Sequence, residues 1–155
     1  MYNKLDEYLN QDIDNPKYLF HGSPYKLDRL IPQTSHDSKG NKENVATAIF
    51  LFPSFLKSTP YAFMGTIIAN SEGLPWDFEI PNSNSFPLMT MSNVNIDENM
   101  VGYIYVFEKS NKMIKDEKSY QYKCYDELAP CDMVTITYKD FYQYYELRSL
   151  NKSMN

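Results

Sequence analysis

The run Val101 to Phe107, VGYIYVF, narrows what this chain can become more than any other segment. β-Branched and aromatic residues crowd it, and such side chains pack well on a pleated, half-buried surface. Asp132 to Tyr138 (DMVTITY) repeats the pattern, and Tyr120 to Tyr125 alternates with the period of two that a strand requires. Lys17 to His21 reads as a strand that stops at Gly22, and Val45 to Phe52 as a buried strand. Helices are expected between the early strands, over Met1 to Leu9, over Pro24 to Leu30 and from Pro53 towards Ala69. Pro53 suits the first turn of the last of these, whereas Pro60 is predicted to kink or split it. Asp140 is expected to open a C-terminal helix. Early helices among strands, followed by a strand-rich end, give an α+β fold.

Two stretches break this rhythm. Gln33 to Asn44 is polar and reads as a surface loop. Asn70 to Asn99, with Pro75, Pro81 and Pro87, reads as a long irregular insertion in which Phe86 to Met91 is the strand candidate. No internal repeat and no linker divides the sequence, so residues 1–155 are expected to form one domain.

Composition excludes several function classes. The hydrophobic share of 43% and aromatic share of 15% supply a core that a disordered chain lacks. The 14 tyrosines suit half-buried strands and offer flat stacking surfaces. A net charge of −5 does not draw the chain to nucleic acid, and Arg29 and Arg148 are its only arginines. The two cysteines, Cys124 and Cys131, are too few for a disulfide framework and show no CxxC spacing. With His21 and His36 the only histidines, no metal site is expected. Cys124 alternates to the face opposite Gln121, which directs it away from any site there. The N-terminus is polar, and the apolar stretch Ala48 to Leu56 is broken by Pro53. A cytoplasmic protein without a membrane span is the expectation.

Three segments carry chemistry together. Phe20-His21-Gly22-Ser23 closes the first strand. Ile49-Phe50-Leu51-Phe52 is followed by Ser58 and Tyr61, which share a helical face at i, i+3. Tyr120-Gln121-Tyr122-Lys123-Cys124-Tyr125-Asp126 forms the third. In this order and spacing they resemble the ADP-ribosyltransferase-like family, in its histidine–tyrosine–glutamate branch, which includes the poly(ADP-ribose) polymerases. The resemblance spans Tyr18 to Phe141.

The resemblance implies split antiparallel β-sheets around an NAD cleft, flanked by short helices. It implies NAD as the substrate, with ADP-ribose passed to an unknown acceptor or to water. A protein or small-molecule acceptor fits the charge better than nucleic acid. His21 would bond the adenine-side ribose, and Gly22 and the adjoining Ser23 would line the cofactor. Gly22 would hold the nicotinamide carboxamide through its backbone, where a Cβ would intrude. Phe50 stands where the family often has a first tyrosine, Ser58 where a serine bonds the carboxamide, and Tyr61 where a tyrosine stacks on nicotinamide. His21 and Tyr61 are expected to face one cleft with Gly22 at its floor. The family's catalytic glutamate position holds Gln121, which keeps a hydrogen bond but lacks the charge that steadies an oxocarbenium-like state. A non-catalytic module binding NAD, ADP-ribose or a protein is therefore the rival reading. A related RNA 2′-phosphotransferase activity ranks below both, because phosphate clamping favours arginine pairs.

Overall fold

A computed structural model describes residues 4–34, 47–70, 76–79, 88–91, 97–117, 121–141 and 146–149. Helices and largely antiparallel sheets mix along the chain, which makes the fold α+β. Helix α1 (Lys4–Asn10) precedes strand β1 (Tyr18–Ser23), followed by β2 (Gln33–Thr34) and β3 (Thr47–Leu51). Then come α2 (Phe55–Asn70), β4 (Trp76–Glu79), β5 (Leu88–Met91), β6 (Val101–Glu108) and β7 (Met113–Lys115). The remainder is β8 (Tyr122–Cys124), β9 (Asp132–Thr137), α3 (Tyr138–Phe141) and β10 (Glu146–Ser149).

The sheet that centres the fold has the order β1-β6-β9, all antiparallel. β1 and β6 are buried on both faces, which explains their near-continuous apolar runs. One face, carrying Tyr18, Phe20, Ile104, Val106 and Ile136, packs with Tyr8, Phe55 and Phe63 from the helices. Phe20 and Phe55 meet edge to face at 5.2 Å, the arrangement aromatic quadrupoles favour. The other face, carrying Leu19, Tyr105 and Phe107, packs with Ile49, Leu51, Met113, Tyr122 and Cys124 of a four-stranded sheet, β2-β3-β8-β7. The two sheets are joined edge to edge at one residue pair. Phe20 N–H donates to the Phe52 carbonyl, and Phe52 N–H to the Phe20 carbonyl, both at 2.8 Å. Beyond that pair β1 and β3 belong to separate sheets, and the second core cluster lies between them. A third sheet has the order β10-β5-β4, with β5 parallel to β10 and antiparallel to β4.

Several expectations shift. Pro24 to Leu30 is not helical. Tyr105 Oη donates to the Tyr25 carbonyl and accepts from Leu27 N–H, and Leu30 exchanges backbone bonds with Leu128, so tertiary bonds replace the local ladder. β1 runs on through Gly22 to Ser23. α2 is one helix across Pro60. Pro60 has no N–H for the Leu56 carbonyl, and Thr59 Oγ1 donates to that carbonyl at 2.7 Å. Ser54 Oγ caps the helix start by accepting from Lys57 N–H at 3.2 Å. β2 begins inside the predicted 33–44 loop, and the rest of that loop lies outside the described residues. The 70–99 insertion contains β5, close to the expected 86–91 strand, and β4, which was not expected. The third motif's strand is shorter than 120–125, and Gln121 precedes it; Tyr120 lies outside the described residues. α3 is a single turn beginning at Tyr138, ahead of Asp140. No helix among the described residues is long and apolar enough to cross a membrane.

Candidate functional site

On β1 the pleat sets Gly22 opposite Ile104 and His21 opposite Tyr105, so the two face opposite sides of the sheet. Gly22 faces α2. A Cβ added there would strike the Ser58 carbonyl oxygen and lie 2.9 Å from the Ala62 nitrogen and 3.2 Å from Tyr61 Cβ. Glycine is what lets the helix backbone come this close. The first motif and the Ser58–Tyr61 motif are thereby in direct contact.

Backbone direction follows from the same alternation. Phe20 points both its N–H and its C=O at Phe52 of the neighbouring sheet. Two residues on, Gly22 points its own pair the same way, towards the seam beside β3 where the ladder has ended. A donor and an acceptor thus face the seam side by side. Ser58 is fully buried, and its hydroxyl donates to the Phe55 carbonyl at 2.6 Å. With the hydrogen committed, its oxygen offers lone pairs to a further donor. Tyr61 is half-buried and stacks on Phe52 with ring centroids 5.2 Å apart and planes 25° from parallel.

His21 turns from β1 towards β3, where Nδ1 lies 2.8 Å from the Phe50 carbonyl oxygen. That oxygen can only accept, so Nδ1 carries the hydrogen and neutral imidazole keeps a lone pair at Nε2. Burial pushes the imidazole below its ordinary value and so favours the neutral form, partly opposed by the bond to Phe50. Ser23 is buried at the end of β1, and its Oγ accepts from Tyr25 N–H at 3.1 Å, shaping the exit turn.

Along β3, Ile49 and Leu51 enter the second core cluster, whereas Phe50 and Phe52 belong to neither cluster. Phe50 is half-buried and sits opposite Lys123 on β8. The Lys123 ammonium lies 5.9 Å from the centre of the Phe50 ring and 3.8 Å from Asp116 Oδ2. Gln121 is half-buried beside them, and its carbonyl accepts from Asp116 N–H at 2.9 Å across the β7–β8 hairpin. Cys124 is fully buried in the core face of the same strand, as the alternation from Gln121 requires.

The sequence residues therefore fall into two linked groups. Gly22, Ser58 and Tyr61 touch across the β1–α2 contact, and His21 and Phe50 join across the β1–β3 seam. Tyr61 on Phe52, and Lys123 over Phe50, connect these groups to the Gln121 hairpin. Sequence reasoning passed over Lys123 and Asp116. The first was legible, because Lys123 shares a strand face with Gln121. The second was not, because only the hairpin register brings Asp116 to Gln121. Comparison with known protein families, with curated proteins and with solved structures finds no match to this chain.

Proposed function

We propose that the chain binds NAD as an ADP-ribosyltransferase-like domain and turns it over weakly or not at all. The observation that carries this reading is the Gly22 seam. A carboxamide presents one carbonyl acceptor and one N–H donor on neighbouring atoms, and the Gly22 N–H and C=O form the complementary pair. Ser58, fully buried with its hydroxyl spent on Phe55, would steady the helix backbone against Gly22 rather than meet the ligand. Tyr61, in contact with the same glycine, would stack on the pyridine ring. The neutral His21 Nε2 would accept from a ribose hydroxyl. The two sheets joined at Phe20 and Phe52 would form the family's split-sheet frame.

Turnover would break the bond between the ribose C1′ and the pyridinium nitrogen. The electron pair leaves on nicotinamide, and positive charge develops on the sugar. Gln121 offers that charge a dipole only, so the binding-module reading is kept as the rival. Calorimetric titration with nicotinamide and with NAD, paired with an assay of nicotinamide release, tests both. Binding with little release is expected. Failure of either ligand to bind at millimolar concentration would remove the NAD reading. Rapid release would remove the non-catalytic one.

A further inference from the structure

We propose that Lys123, held beside Asp116, is the anion-recognition residue of this site and takes a phosphoryl or diphosphate group of the ligand. The inference rests on the NAD reading but concerns a residue that the sequence motifs did not single out.

The argument starts from a row of side chains on one side of the four-stranded sheet. Tyr61 stacks on Phe52. Phe50 lies two residues back along β3, about 7 Å away at the usual strand rise. The Lys123 ammonium closes the row above the Phe50 ring. Flat apolar faces thus lead to a cation, which matches a ligand that joins an aromatic ring to an anionic group.

The setting of the ammonium favours strong recognition. Its side chain is 16% exposed and that of Asp116 is 11% exposed, so charge there is screened far less than on the open surface. The ammonium and the Asp116 carboxylate form an ion pair at 3.8 Å. Asp116 N–H donates to the Gln121 carbonyl, which sets the Asp116 backbone beside β8. The field of a chain with net charge −5 opposes anions, which makes a local cation necessary for a diphosphate to be held at all. Arg29 stands with Glu127 on an exposed surface, where solvent screens its charge more strongly.

Calorimetry on the whole chain tests this with nicotinamide, NAD and inorganic pyrophosphate as probes. Lys123→Met is expected to weaken NAD roughly tenfold to a hundredfold, the range for losing a charge-assisted bond. It should leave nicotinamide affinity unchanged, and Lys123→Arg should retain NAD affinity within a few fold. Equal NAD affinity in wild type and a folded Lys123→Met overturns the proposal while the NAD reading stands. Pyrophosphate bound by wild type, lost in Lys123→Met, with no NAD binding, keeps the lysine's role and discards the NAD reading. Where Lys123→Met does not fold, wild type decides alone. NAD affinity should fall with added salt while nicotinamide affinity does not, and salt-independent NAD binding overturns the proposal.

Discussion

At Gly22 one methyl group decides how α2 lies on the central sheet. The atoms that a Cβ would meet include the Ser58 carbonyl and the Ala62 nitrogen, both backbone, so no rotamer change relieves the clash. Gly22→Ala should therefore destabilise by about 1–3 kcal/mol, the usual cost of overpacking. It should also displace Ser58 and Tyr61 from the β1–α2 contact. Urea unfolding and nicotinamide titration on one preparation check this, and a variant with unchanged stability would contradict the described contact. Gln121 poses a different question, since it lacks a charge. Gln121→Glu is expected to raise nicotinamide release by roughly 10²–10³, the scale of one preorganised group in a dry site. An unchanged rate with intact folding would show that Gln121 does not face the reacting ribose. At this scale the sequence was most legible where one residue type answers one geometric demand. Glycine at 22 announces a close approach, and serine and tyrosine at 58 and 61 announce a shared helix face. Asp116 announced nothing, because its place beside Gln121 depends on a hairpin with β7, a strand too short to declare itself.

The helix α2 shows why whole elements were read better than their interruptions. Its apolar content was visible, but the kink or split expected at Pro60 does not end it, and α2 is one helix from Phe55 to Asn70. What the residue pattern did not reveal was the repair, in which Thr59 Oγ1 donates to the Leu56 carbonyl that Pro60 cannot serve. Thr59 is fully buried, so Thr59→Val, nearly the same in shape, should cost about 1–3 kcal/mol by leaving that carbonyl short of a donor. Pro60→Ala restores the N–H, and in that background Thr59→Val should cost markedly less. A double-mutant cycle from denaturant unfolding measures the coupling, and strictly additive costs would refute the repair. The Pro24 to Leu30 segment failed for the complementary reason. Its local pattern suits a helix, but Tyr105 and Leu128 bind its backbone from distant parts of the chain. Tertiary partners of that kind leave no periodic trace in the segment itself.

Across the whole molecule, the weak point is the seam at which two sheets share one backbone pair. Phe20 and Phe52 make that pair, and the next contact outward is the His21 imidazole on the Phe50 carbonyl. The ring thus stands where a further ladder bond would otherwise continue. Burial lowers its proton affinity, so the folded chain titrates His21 below the ordinary imidazole value of about 6.5 that applies when unfolded. Between those two values the unfolded chain binds more protons. Stability contributed by neutral His21 is therefore fully present above pH 6.5 and is lost as pH falls through the folded value. One such group changes stability by at most about 1.4 kcal/mol per pH unit within that window. His21→Asn offers the control, because its side-chain amide can still donate to Phe50 but does not titrate. Urea unfolding of both proteins from pH 7.5 down to pH 5 should show wild type losing stability faster. Carboxylates and His36 contribute to both curves and cancel in the difference. Parallel curves would mean that the imidazole is equally protonatable in both states, and the seam would then owe nothing to its burial.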